Sequence, residues 1–228
     1  MGNEYFAPGA SQYDKHLMYQ TYDVTDFLKQ GENGIGCILA SGWWSDSFSF
    51  RLYNFNYWGD KPSFLGKLVI CYENGQREVF VTDDKNWEYY GEGPYRYAGF
   101  FNGEEYDARK AEIYHNLSKA DFVSADCKKP EIIKTIPMDE QEGIFPGACC
   151  WPAMNLTEPN IVGNYQAPVH EVEIFTAKSV SEPVPGTYIY DLGQEIAGVP
   201  RIRLCGKPGQ KITIRYGEIL YPDLKEYK

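Results

Sequence analysis

Apolar residues recur at every second position in short runs, and glycine or proline breaks those runs every few residues, which confines this chain to β structure. Phe48, Phe50 and Leu52 share one face while Ser47, Ser49, Arg51 and Tyr53 take the other. Ile202 and Leu204 alternate with Arg201 and Arg203, and Ile212, Ile214 and Tyr216 alternate with Lys211, Thr213 and Arg215. Each pattern predicts a half-buried strand. Between the last two, Lys207-Pro208-Gly209-Gln210 supplies proline where φ is fixed near its own value and glycine where φ is positive, so a hairpin is expected there. A second hairpin is expected around Glu73-Asn74-Gly75-Gln76, flanked by residues 64–72 and 77–82, because Asn-Gly tolerates positive φ at both central positions. Tyr188, Ile189 and Tyr190 form a further short strand, and Asp191, Gln194 and Gly198 after it read as turn chemistry. Helical periodicity is nearly absent, and short strands so closely punctuated argue for an all-β sandwich of the jelly-roll kind.

Residues 17–22 read as a strand, followed by one helical turn that Thr25 caps, that runs through Phe27 and Leu28, and that Gly31 ends. Residues 34–40 read as another strand, with Ile35, Cys37 and Leu39 on one face, and residues 41–46 as a polar and aromatic loop. From 118 to 166 the alternation fades under Pro130, Pro137, Pro146, Pro152 and Pro159, so this stretch reads as a connection between two sheet units. Extended structure restarts at Val172, Ile174 and Phe175. The expected domains are therefore residues 1–165, a β-sandwich with a trailing connection, and residues 166–228, the start of a second sandwich.

A net charge of −10 disfavours nucleic acid and anionic membrane surfaces, both of which are held by Lys and Arg clusters. Three histidines, His16, His115 and His170, lack metal-ligand spacing, and the six cysteines show no repeated spacing, so neither a zinc site nor a disulfide framework is expected. The composition is 16% aromatic, which suits pleated sheets and also supplies flat faces on which sugar rings stack. No stretch approaches the length needed to cross a bilayer as a helix.

Several blocks occur in a telling order. Ala7-Pro8-Gly9 with Tyr13 and Lys15 comes first, then residues 19–25 (YQTYDVT), Ser41-Gly42-Trp43-Trp44, and Val81-Thr82-Asp83 with Trp87. Gly93-Pro94, Asn102-Gly103-Glu104, Tyr106-Asp107-Ala108-Arg109, residues 190–194 (YDLGQ) and residues 215–220 (RYGEIL) follow. Together they resemble the amino-terminal β-sandwich region of the bacterial α-L-rhamnosidases over nearly the whole chain. The resemblance implies a jelly-roll or galactose-binding-like β-sandwich followed by part of a second β-sandwich. It also implies a parent glycoside hydrolase whose catalytic carboxylates lie in an (α/α) barrel that this chain does not reach. The family has at least one strand before the position of Ala7-Pro8-Gly9, so the chain is expected to be a portion of a larger protein or to have a remodelled start, with an exposed sheet edge.

No catalytic residue is expected within the chain. An inverting glycosidase needs an acid and a base on opposite faces of the sugar, whereas Glu104, Glu105 and Asp107 crowd into one segment. Two functions of different class are open: a scaffold and docking region for the catalytic barrel, or an independent lectin-like module that binds an L-rhamnose-containing glycan. The resemblance points to Trp43, Trp44, Tyr95, Asn102 and Glu104 as sugar contacts, and to Asn102, Glu104 and Asp107 as hard oxygen donors for calcium. Segment 98–101 (AGFF) lacks the acidic residue the family often carries there. Packing by the tryptophans and an ion pair from Asp107 to Arg109 are the structural alternatives.

Overall fold

The computed structural model describes residues 2, 4–46, 58–117, 119–122, 124, 126–136 and 154–219. The strand expected from Ser47 to Tyr53 lies outside them. The chain divides into two compact units, residues 1–169 and 170–228.

In the first unit, Leu17–Tyr19 (β1) follows the core residue Tyr13. Lys67–Cys71 (β2) and Arg77–Val81 (β3) pair antiparallel, with Val69 opposite Val79. Only Gly75 of the connecting loop has positive φ, at 83°, and Tyr72 O accepts from Gly75 N while Tyr72 N donates to Gln76 O. The expected hairpin forms, but with a three-residue loop whose left-handed residue is the glycine alone, not the paired Asn-Gly turn. Tyr95–Gly99 (β4) and Gly103–Tyr106 (β5) make the next antiparallel pair, closed by Phe100, Phe101 and Asn102.

Thr135–Ile136 (β6) and Met154–Asn155 (β7) pair antiparallel, and Ile161–Gly163 (β8) pairs parallel with β1, Leu17 opposite Ile161. The stretch read as a bare connection thus returns a strand to the start of the chain. Proline breaks its pattern without preventing this, since the pairing needs only three residues. Beyond β8, His16 and Tyr165 hydrogen bond at 2.9 Å, Gln166 donates to Ala10 O at 2.8 Å, and Tyr5 bridges Val169.

Three further expectations differ from the structure. Residues 34–40 form no ladder, their alternation finding no partner strand among the described residues. Residues 41–46 contain a short helix, Gly42–Ser45 (α1). The helical turn at Thr25–Phe27 forms after Val24 without a side-chain cap from Thr25, Asp23 Oδ1 accepting from Thr25 N at 2.9 Å, and it ends at the extended Leu28, ahead of Gly31.

In the second unit, Ser179–Val184 (β9) and Thr187–Asp191 (β10) form an antiparallel hairpin around Pro185-Gly186, with Gly186 at φ 81°. This is the same proline-glycine chemistry as at Pro208-Gly209, where Gly209 has φ 85° and Gln210 N donates to Lys207 O at 3.0 Å. The alternating runs beside Pro208-Gly209, and the segment at Val172, Ile174 and Phe175, carry no strand pairing among the described residues. Asp191 accepts from Gly193 N at 2.6 Å, the turn role expected of it.

Candidate functional site

The β4–β5 hairpin gathers most of the residues of interest and separates them into two groups. At its closed end, α1 lies against β4. Trp43 stacks on Phe100 with ring centroids 4.2 Å apart at 25° and meets Phe101 edge-on at 6.1 Å. Three residues on, one helical turn later, Asp46 reaches the same hairpin. Its side chain is 1% exposed, and its Oδ1 accepts a short hydrogen bond from the Tyr97 hydroxyl. Asn102 Nδ2 in turn donates to the Tyr97 oxygen at 3.0 Å. Burial raises the Tyr97 pKa first, the bond to Asp46 adds to this, and donation from Asn102 works against it by favouring the phenolate. Gly99 makes the arrangement possible, because a Cβ there would collide with the Asp46 carboxylate.

Trp44 turns the other way. Its ring lies 5.5 Å from Tyr13, which also packs edge-on against Trp58 at 5.6 Å, and its Nε1 donates to Lys61 O at 2.9 Å. Tyr13 and Trp58 are the buried pair of this core, with Leu17, Trp43 and Trp44 packed around them. The burial of Tyr13 pushes its hydroxyl up to about 12. Of the two adjacent indoles, then, Trp44 acts as a core residue and Trp43 spans core and hairpin tip.

At the open end, Tyr95 faces Tyr106 at 5.0 Å and Tyr114 at 6.0 Å. Glu104 shares a strand face with Tyr106 and is close enough to raise Tyr95 and Tyr114 electrostatically, although burial is the larger cause for both; Tyr114 is pushed up to about 12. Asp107 follows β5 and starts a 3-10 helix, Ala108–His115, by accepting from Arg109 N at 3.1 Å. Both its carboxylate oxygens also bind the Arg109 guanidinium, at 2.8 and 2.7 Å, which holds the acid down at about 2.

Of the sugar contacts expected, Trp43 stacks on Phe100 in the hairpin loop that also holds Asn102, Glu104 pairs with Ala98 one position from that loop while its charge reaches Tyr95, Tyr95 lies at the open end, and Trp44 faces the core. Asn102 is bonded to Tyr97 and Asp107 to Arg109, while Glu104 acts on Tyr95 and Tyr114 through its charge. Among the described residues no three His, Cys, Asp or Glu side chains gather where a metal ion could sit. Asp46, Tyr97 and Gly99 escaped the sequence reading. Their only signals were an acid closing the Trp-Trp segment and a glycine ending an aromatic strand.

The short paired strands and the near absence of helix define a β-sandwich region, and known proteins identify which one. The family model described as the α-L-rhamnosidase N-terminal domain matches residues 1–142, and that of the bacterial α-L-rhamnosidase concanavalin-like domain matches residues 181–227. The chain belongs to the α-L-rhamnosidase family. It is 30% identical to an α-L-rhamnosidase of Streptomyces avermitilis over 98% of its length and 19% of that protein. It is likewise 30% identical to one from Alteromonas sp. (strain LOR), over 96% of this chain and 21% of the other. The chain thus spans about a fifth of the curated relatives it matches. Two solved structures share the fold. The Streptomyces avermitilis α-L-rhamnosidase complexed with L-rhamnose has TM-score 0.55 and 23% identity over 85% of this chain and 16% of that one. The Dictyoglumus thermophilum α-L-rhamnosidase has TM-score 0.57 and 21% identity over 85% and 18%. No helix among the described residues is long and apolar enough to cross a membrane.

Proposed function

We propose that this chain is the non-catalytic β-sandwich portion of an α-L-rhamnosidase, carrying and orienting a catalytic barrel supplied by the rest of the parent protein. The parent reaction is hydrolysis of terminal α-L-rhamnose from glycosides or polysaccharides. The observation that carries this reading is the span of the likeness, 98% of this chain against 19% of a rhamnosidase. Carboxylate chemistry supports it. Asp107 is tied to Arg109 and Asp46 is buried against Tyr97 and Gly99, so neither is free to flank a sugar as acid or base. The test is an assay of the purified 228-residue chain on an aryl α-L-rhamnoside, beside the same chain extended through the parent reading frame. The extended protein turns over and the short one does not. Sustained release of rhamnose by the short chain, or a natural stop after Lys228, overturns the reading.

A second reading, an independent carbohydrate-binding module, draws on the Trp43 ring stacked on Phe100 and the Asn102 amide in the same loop, an apolar ring pair and a polar group on one hairpin turn. It is tested by calorimetric titration of L-rhamnose, once with calcium and once with a chelator. Heat in either condition supports binding, and a difference between the two assigns a role to the ion.

A further inference from the structure

The chain Asp46–Tyr97–Asn102 has a direction, and the direction fixes what the hairpin tip offers to solvent. A tyrosine hydroxyl has one proton to give. Here it goes to Asp46 Oδ1, a carboxylate oxygen that is the stronger acceptor. The phenolic oxygen is thereby left as an acceptor, and it takes the Nδ2 hydrogen of Asn102 at 3.0 Å. With the amide nitrogen bonded to the Tyr97 oxygen, Asn102 Oδ1 is left without a hydrogen-bond partner among the described residues. Asp46 is 1% exposed, and its second oxygen, Oδ2, is buried at Gly99 without a hydrogen bond among the described residues. A buried carboxylate left half satisfied is costly, and it forms only where surrounding structure over-determines it. The surrounding structure is α1, which seats Asp46 and Trp43 on the hairpin together.

We infer that Asp46 and Tyr97 are positioning residues that fix the Asn102 amide through its nitrogen and leave its carbonyl as a held acceptor for a sugar hydroxyl, in the hairpin loop on which Trp43 stacks. The ligand half of this inference rests on the carbohydrate-binding reading above. The positioning half stands without it. Neither residue touches the sugar; Asn102 does, through Oδ1, while the Trp43–Phe100 pair supplies the neighbouring apolar surface.

The experiment has two arms on the 228-residue chain. In the first, hydrogen exchange of the Asn102 side-chain amide is followed by NMR in wild type, Tyr97→Phe and Tyr114→Phe. Tyr97→Phe keeps the ring and removes only the hydroxyl, so a role confined to packing predicts no change. The relay predicts that one protected Asn102 proton speeds up roughly tenfold or more in Tyr97→Phe and is unmoved in Tyr114→Phe. Equal exchange in all three overturns the positioning role, whatever the sugar does. In the second arm, L-rhamnose is titrated into wild type, Asn102→Ala and Tyr97→Phe. The expected result is a five- to tenfold weaker Kd in both variants, roughly one lost hydrogen bond. No binding by wild type removes the carbohydrate reading and the ligand half with it. Binding that Asn102→Ala leaves intact overturns the ligand half alone.

Discussion

The two ends of the β4–β5 hairpin carry the same kinds of side chain, aromatic rings beside carboxylates, and put them to opposite uses. At the closed end the acid is Asp46, 1% exposed, and it holds tyrosine and asparagine in a directed chain. At the open end the acid is Asp107, in contact with solvent, and it serves its own segment by starting a 3-10 helix and pairing with Arg109 two residues on. The difference teaches that a carboxylate organises a site where burial strengthens its bonds. In water the same group is a local fastener.

That contrast can be broken by substitution. The largest effect is expected at Trp44→Ala, which opens a void against Tyr13 and should cost about 3 kcal/mol in urea unfolding. Trp43→Ala should cost clearly less, because its ring rests on the hairpin tip; equal losses would erase the distinction between the two indoles. Next comes Gly99→Ala, whose methyl has to displace Asp46 from the hairpin, with about 2 kcal/mol lost by the same measurement. Unchanged stability there would mean that Asp46 is not held as described. Tyr97→Phe follows at about 1 kcal/mol, the net worth of one hydrogen bond, with a larger loss reporting the charge on its partner.

The smallest effect belongs to the open end. Arg109→Ala should let the Asp107 carboxyl rise from about 2 toward its ordinary value of 3.8, read by NMR titration. The sign follows from a folded-state pKa that is depressed. Whatever stability the pair contributes is complete above about pH 4, fades as pH falls toward 2, and is absent at every pH in the variant. A carboxyl that titrates normally in wild type contradicts the bidentate pairing.

What was legible in the sequence was local. Gly75, Gly186 and Gly209 all take positive φ at turns, and two of them follow proline, so a glycine at the right offset announces a turn without knowledge of the rest of the chain. Pro185-Gly186 bore that signal as clearly as Pro208-Gly209. The family was legible too, through blocks whose roles now have physical reasons: Asp107 and Arg109 start a helix together, and Asp83 caps Lys85 and Asn86 at 2.9 and 2.5 Å. The site was not legible. Asp46 and Tyr97 are 51 positions apart, and β1 meets β8 across a proline-rich stretch with no periodic pattern. Nor can periodicity divide Trp43 from Trp44, because adjacent residues of a short helix differ only in which surface the tertiary structure brings to each.

The sugar site at the hairpin tip is tested most directly by following the side-chain NMR signals of this chain as L-rhamnose is added. The account predicts that the Asn102 amide and the Trp43 indole shift together and saturate at one Kd, while the Trp44 indole and the Tyr95 and Tyr106 rings stay in place. Shifts confined to the Tyr95 and Tyr106 end, or none at any sugar concentration, would contradict the sugar-binding reading and leave the non-catalytic reading of the chain standing.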